Sequence, residues 1–100
     1  MNYPLQDKKV FLVTFNGIAE PFTRFLDTRP EVLNWFKILS NAILIVSRSD
    51  AATLSNLLRN QFPVIWFVLT EMDPHKTAGW INKPVWDFIN DPKSSGRWEP

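Results

Sequence analysis

Trp35-Phe36-Lys37-Ile38-Leu39-Ser40-Asn41-Ala42-Ile43-Leu44-Ile45-Val46-Ser47 is the stretch on which the fold turns. It reads either as a helix end followed by a strand or as two strands across a tight Ser40-Asn41 turn. The second arm is the most β-like segment of the chain, and serine and asparagine tolerate turn dihedrals, which favours the hairpin. Upstream, Val10-Phe11-Leu12-Val13-Thr14-Phe15 is almost continuously apolar and rich in β-branched and aromatic residues, as a central strand is. It closes on Asn16-Gly17. Ile18, Phe22, Phe25 and Leu26 then recur at spacings of three and four, with Glu20 and Pro21 at its start, and predict a short amphipathic helix from Ile18 to Leu26. Thr28-Arg29-Pro30-Glu31 matches a capping box and predicts a further helical turn.

Downstream of the hairpin, Ser49 or Asp50 caps a helix that carries Leu54, Leu57 and Leu58 on one face and ends at Arg59-Asn60-Gln61 before Pro63. Val64-Ile65-Trp66-Phe67-Val68-Leu69-Thr70 lies between Pro63 and the Asp73-Pro74 turn signal and reads as a buried strand. The order is βαββαβ. Right-handed crossovers place such strands in one antiparallel sheet with both helices on one face, the ferredoxin-like α+β arrangement. Beyond it, Pro84 opens a short helix whose Val85, Trp86, Phe88 and Ile89 are free to pack back on the domain. Residues 1–8 read as an N-terminal tail, 9–91 as one domain and 92–100 as a frayed C-terminal tail.

Composition agrees with a single domain. Of the 100 residues 45% are hydrophobic, with five Trp and eight Phe, enough to sustain a core without staples. The absence of cysteine removes disulfide scaffolds, thiolate metal sites and cysteine nucleophiles, and favours a reducing compartment, so the expected location is the cytoplasm. No stretch approaches the ~20 apolar residues of a membrane span, and the N-terminus has no signal-like apolar region. The net charge is +1 and the basic residues are scattered, so nothing resembles a stripe that would track a phosphate backbone. One inference comes from counting faces. Both alternating sets of the first and last strands are apolar, yet two helices cover only one face of a sheet. The segment around Trp80, Trp86 and Phe88, or a second subunit, must cover the other.

Taken together, Phe11-Leu12-Val13-Thr14-Phe15-Asn16, the hairpin, Ser49-Asp50 with its leucine helix, Trp66-Phe67-Val68-Leu69 and Ala78-Gly79-Trp80 carry a resemblance over residues 9–89. The chain resembles the small ferredoxin-like proteins of the SinR-like group, relatives of the CRISPR-associated adaptation endonuclease and of virulence-associated protein D. The resemblance implies a bacterial or phage source and a homodimer built by sheet-to-sheet or edge association. In the nuclease branch it also implies an Asp at the end of the first strand, holding a divalent metal at the two-fold axis. The matching position here is Asn16. An amide oxygen brings no charge, and hard cations are normally held through carboxylates, so the sequence departs from the pattern at its central ligand.

Asn16-Gly17 reads as part of a polar pocket at a strand end or as a simple strand-terminating turn. His75, beside Asp73 and Glu71, offers a carboxylate–imidazole set for a metal or for acid–base chemistry, although a lone loop histidine is more often exposed without function. The serines lack a nucleophile signature and have one histidine to activate them, which argues against a serine hydrolase. Trp35, Trp66, Trp80, Trp86 and Trp98 suit base stacking in principle, but core packing or an apolar dimer surface accounts for them better. The candidate binding residues are therefore Asn16, Gly17, Trp66, Trp80 and Trp86. No catalytic set is assigned, Asn16 and His75 being the nearest to one, and neither metal nor cofactor is expected. The expected function is binding or interaction as a homodimer, with a protein partner and without catalysis. The alternatives are a degenerate metal-dependent ribonuclease using Asn16 with Asp7, Asp27 or a carboxylate of the dimer mate, and a nucleic-acid-binding module that does not cleave.

Overall fold

The computed structural model describes residues 8–79 and 83–90. Its strands and α-helices follow in the order β1 (Lys9–Phe15), α1 (Glu20–Leu26), β2 (Val32–Leu39), β3 (Ala42–Ser47), α2 (Ala51–Gln61), β4 (Phe67–Met72) and α3 (Lys83–Asn90), with a 3-10 turn at Pro74–Lys76 before α3. The strands form one sheet in the order β2-β3-β1-β4, with every neighbouring pair antiparallel. This is the βαββαβ order with a C-terminal helix. The hairpin is real: Leu39 pairs with Ala42 across Ser40-Asn41.

Strand pleating sends alternate residues of β1 and β3 to opposite faces, and both faces are apolar. On one face Phe11, Val13, Phe15, Ile43 and Ile45 pack against Phe22 and Leu26 of α1 and Leu54 and Leu58 of α2. Tilted ring contacts run from β1 through α1 to the end of α2, Phe15 to Phe22 at 4.3 Å, Phe22 to Phe62 at 4.5 Å and Phe25 edge-on to Phe62 at 5.6 Å. On the other face Val10, Leu44 and Val46 meet Val85 and Ile89 of α3, with Leu12, Phe36, Met72 and Trp86 around them. The second face is thus covered in part from within the chain. Trp80 and Trp98 lie outside the described residues, as do most of both expected tails and the side chain of Phe88.

Four local expectations are corrected. The first helix starts at Glu20 rather than Ile18, and Ile18 is exposed while Ala19 takes the buried place. Thr28 to Glu31 caps no helix: the Thr28 hydroxyl donates to the Phe25 carbonyl at 2.7 Å, and Glu31 pairs with Arg29 at 3.0 Å. The buried Ser47 hydroxyl donates to the Glu31 carbonyl at 2.7 Å and accepts from the Ser49 N–H at 3.0 Å, which leads the chain into β2. The last strand begins at Phe67 instead of Val64, because a turn bonds the Ile65 N–H to the Phe62 carbonyl at 3.2 Å. That strand is also an edge and not a buried one, with Val64, Trp66 and Val68 in solvent. Asp50 is the cap of α2, its carboxylate accepting the Thr53 N–H at 2.8 Å.

Candidate functional site

The end of β1, the β2–β3 turn and the start of β4 come together at one end of the sheet, since Thr14 pairs with Ala42 and Phe15 with Phe67. Asn16 stitches this end. Its N–H donates to the Trp66 carbonyl at 3.1 Å, and its side-chain Oδ1 accepts the Trp66 N–H at 2.8 Å. The amide therefore supplies the acceptor that a further rung of main chain would have supplied, one residue beyond the last regular pair. Gly17 follows at φ +117°, a region that side chains rarely adopt, with open space around it. Its role is to turn the backbone away rather than to admit a close neighbour.

A shallow cleft of about 370 Å³ lies here, lined by Thr14, Asn16, Asn41, Trp66 and Val68 among others. Five large apolar side chains are exposed in the described chain, and all belong to this end: Ile18 (67%), Leu39 (57%), Val64 (85%), Trp66 (82%) and Val68 (68%). The segments that build it, 14–19, 38–43 and 62–70, contain no Asp, Glu, Lys or Arg. The surface is apolar at both flanks with the amides of Asn16 and Asn41 between.

The other sequence candidates are elsewhere. Trp86 is half-buried on α3 against the second core. β4 runs from Trp66 towards Met72, so His75 stands at the opposite end of the sheet from Asn16. There Asp73 folds a tight turn, its carboxylate accepting the His75 N–H at 2.9 Å and its carbonyl accepting the Thr77 hydroxyl at 2.6 Å. The imidazole is exposed. Among the described residues no group of three or more His, Asp and Glu could hold a metal ion. Asp27 closes α1 and accepts the Trp35 indole N–H at 2.9 Å. The seven residues of α1 carry it roughly 10 Å back along the sheet from the Asn16 end. Asp7 lies outside the described residues. The structure brings Asn16, Gly17 and Trp66 together and separates them from His75 and Asp27.

A second, more polar cleft of about 580 Å³ lies between the helix ends, lined by Pro21, Arg24, Phe25, Thr28, Gln61 and Phe62. At its margin Arg29 sits 5.9 Å over the Phe25 ring and is bonded to Glu31. That hydrogen bond raises the Arg29 guanidinium above its ordinary range and lowers the Glu31 carboxyl below its own. Sequence reasoning missed Ile18, Leu39, Val64 and Val68 as surface residues. The signal that would have found them is the shared lack of charge in three segments that the topology brings to one end. Comparison of the chain with protein-family models, with curated proteins and with solved structures gives no match.

Proposed function

We propose that this chain is a cytoplasmic binding protein that acts as a homodimer without catalysis, making its contacts through the uncharged end of its sheet. One observation carries this reading: among the described residues the five exposed large apolar side chains gather at a single end, in segments free of charge. Interface centres are depleted of charged residues and anchored by aromatics, Trp above all, and soluble monomers seldom leave such a patch in water. Asn16 then acts as the tether that holds the Trp66 backbone at the rim, in place of a metal ligand. The shared element order supports setting the chain beside the SinR-like group, as a member that lacks the carboxylate of the nuclease branch.

Sedimentation of the purified chain over a micromolar concentration range tests the proposal. The wild type sediments as a dimer, and Trp66→Glu as a monomer with an unchanged far-ultraviolet circular dichroism spectrum. A wild type that stays monomeric throughout overturns the reading. RNA cleavage with Mg²⁺ or Mn²⁺ that Asn16→Ala abolishes would put the ribonuclease in its place. Salt-dependent retention of a labelled oligonucleotide would favour the nucleic-acid-binding alternative.

A further inference from the structure

The two edges of the sheet are built differently. β2 carries register shifts between Val32 and Asn34 and between Lys37 and Leu39, and it holds a lysine. Bulges and lysines are the devices by which natural proteins keep edge strands from pairing. β4 has none of them: it pairs with β1 in unbroken register from Val10–Met72 to Phe15–Phe67 and contains one charged residue, Glu71. Among the described residues nothing pairs with its outer side.

The hydrogen-bond pattern says which groups that outer side presents. The Asn16 N–H donates to the Trp66 carbonyl, whereas the Phe15 N–H points the other way, to Asn41 on the β3 side. Antiparallel ladders alternate, so Trp66, Val68, Thr70 and Met72 turn their main-chain groups to β1, and Phe67, Leu69 and Glu71 turn theirs outward. We infer that two copies pair antiparallel through these outward groups of β4, about a two-fold axis at Leu69, joining their sheets into one of eight strands. This rests on the homodimer proposed above and names its geometry.

The register follows from which groups are already engaged. Centred on Leu69, the pairing sets Leu69 against the partner's Leu69 and Phe67 against the partner's Glu71, and makes about six main-chain hydrogen bonds. Moving the axis one way brings Ile65 into the ladder, but its N–H is bonded to the Phe62 carbonyl. Moving it the other way brings in Asp73, whose carbonyl accepts from the Lys76 N–H and the Thr77 hydroxyl. Within the chosen register the sole local competitor is the Thr70 hydroxyl on the Glu71 carbonyl, at 3.5 Å, which leaves that oxygen a free lone pair. On the open face Trp66 then stands opposite the partner's Met72 and Val68 opposite the partner's Thr70. Part of the exposed apolar end is thereby covered.

The chain has no cysteine, so engineered thiols report the register directly. Val68 and the partner's Thr70 form a non-hydrogen-bonded pair with Cα atoms about 4.5 Å apart, inside disulfide range, whereas Val68 and the partner's Val68 are diagonal at about 7–8 Å. Both side chains are exposed in the single chain, so the substitutions leave its fold alone. An equimolar mixture of Val68→Cys and Thr70→Cys, oxidised and run on a non-reducing gel, gives a covalent dimer, and either variant alone gives little. Val68→Lys with Thr70→Lys in one chain weakens association at least tenfold, and mixing with Val68→Glu, Thr70→Glu restores it. A monomeric wild type overturns the homodimer and this pairing together. A dimeric wild type whose mixed thiols fail to cross-link, whose Val68→Cys cross-links alone, or whose lysine variant still dimerises overturns the pairing about Leu69 and leaves the homodimer standing.

Discussion

Replacing Asn16 separates a tether from a functional amide. In Asn16→Ala the Trp66 N–H loses its 2.8 Å acceptor, while the main-chain bond from the Asn16 N–H to the Trp66 carbonyl at 3.1 Å survives. Both residues are exposed, so water reaches the freed donor. The cost is then the net worth of one hydrogen bond, about 1 kcal/mol, and not the larger penalty of a buried orphan. For a domain of this size that is roughly a 4–8 °C fall in Tm, or on the order of 0.5 M in the urea midpoint. Asn16→Asp keeps the acceptor and makes it charged, and charge-assisted bonds are the stronger kind. At neutral pH it unfolds at or above the wild-type midpoint. Urea titration of the three proteins, with hydrogen exchange at the Trp66 amide, checks the scheme: exchange there speeds up in the alanine variant and is unaltered in the aspartate variant. An alanine variant as stable as the wild type, or an aspartate variant that falls with it, refutes the tether.

Other consequences are local. Ser47→Ala strips a fully buried hydroxyl of one bond donated to Glu31 and one accepted from Ser49, and should cost about 2 kcal/mol in chemical denaturation. Ile89→Ala removes a buried anchor of α3, with an expected loss of about 2–3 kcal/mol and a changed near-ultraviolet signal from Trp86; a loss under about 0.5 kcal/mol would mean that the helix does not dock. The Thr53 N–H holds the Asp50 carboxyl below its ordinary range, so the folded pKa lies under the unfolded one. That stabilisation is complete above the unfolded pKa and is lost as pH falls through the folded value, in the window below about pH 4. Thermal melts from neutral to acid pH should show Asp50→Asn, which still caps, losing part of this acid sensitivity, and Asp50→Ala less stable at every pH.

The elements that local chemistry determines were legible. Ser40-Asn41 marks the hairpin, Ser49-Asp50 the start of α2 and Pro84 the first turn of α3, and each signal acts within a few residues of itself. The capping-box reading of Thr28 to Glu31 failed for the opposite reason. What directs that segment is the hydroxyl of Ser47, sixteen residues away in sequence, bonded to the Glu31 carbonyl, and no local pattern reports such a partner. The same limit applied to β4. An apolar run such as Val64 to Leu69 reads as buried whichever strand it becomes, because edge or centre is decided by strand order. Only when β1 takes the place between β3 and β4 does it follow that Trp66 and Val68 stand at a margin.

Lengths explain why the second face of the sheet is divided. The eight residues of α3 span about 12 Å, whereas the seven residues of β1 extend over roughly 23 Å. A single such helix seated on Val10, Leu44 and Val46 falls short of the other end of the strand. Thr14 and Val68 lie beyond the cluster it forms, on the same face and next to Trp66. Counting apolar faces in the sequence posed a choice between a cover from within the chain and a cover from a partner. The geometry answers in part: α3 covers the face around Val10, Leu44 and Val46, while Thr14, Trp66 and Val68, uncharged and beside the unguarded edge of β4, stay exposed.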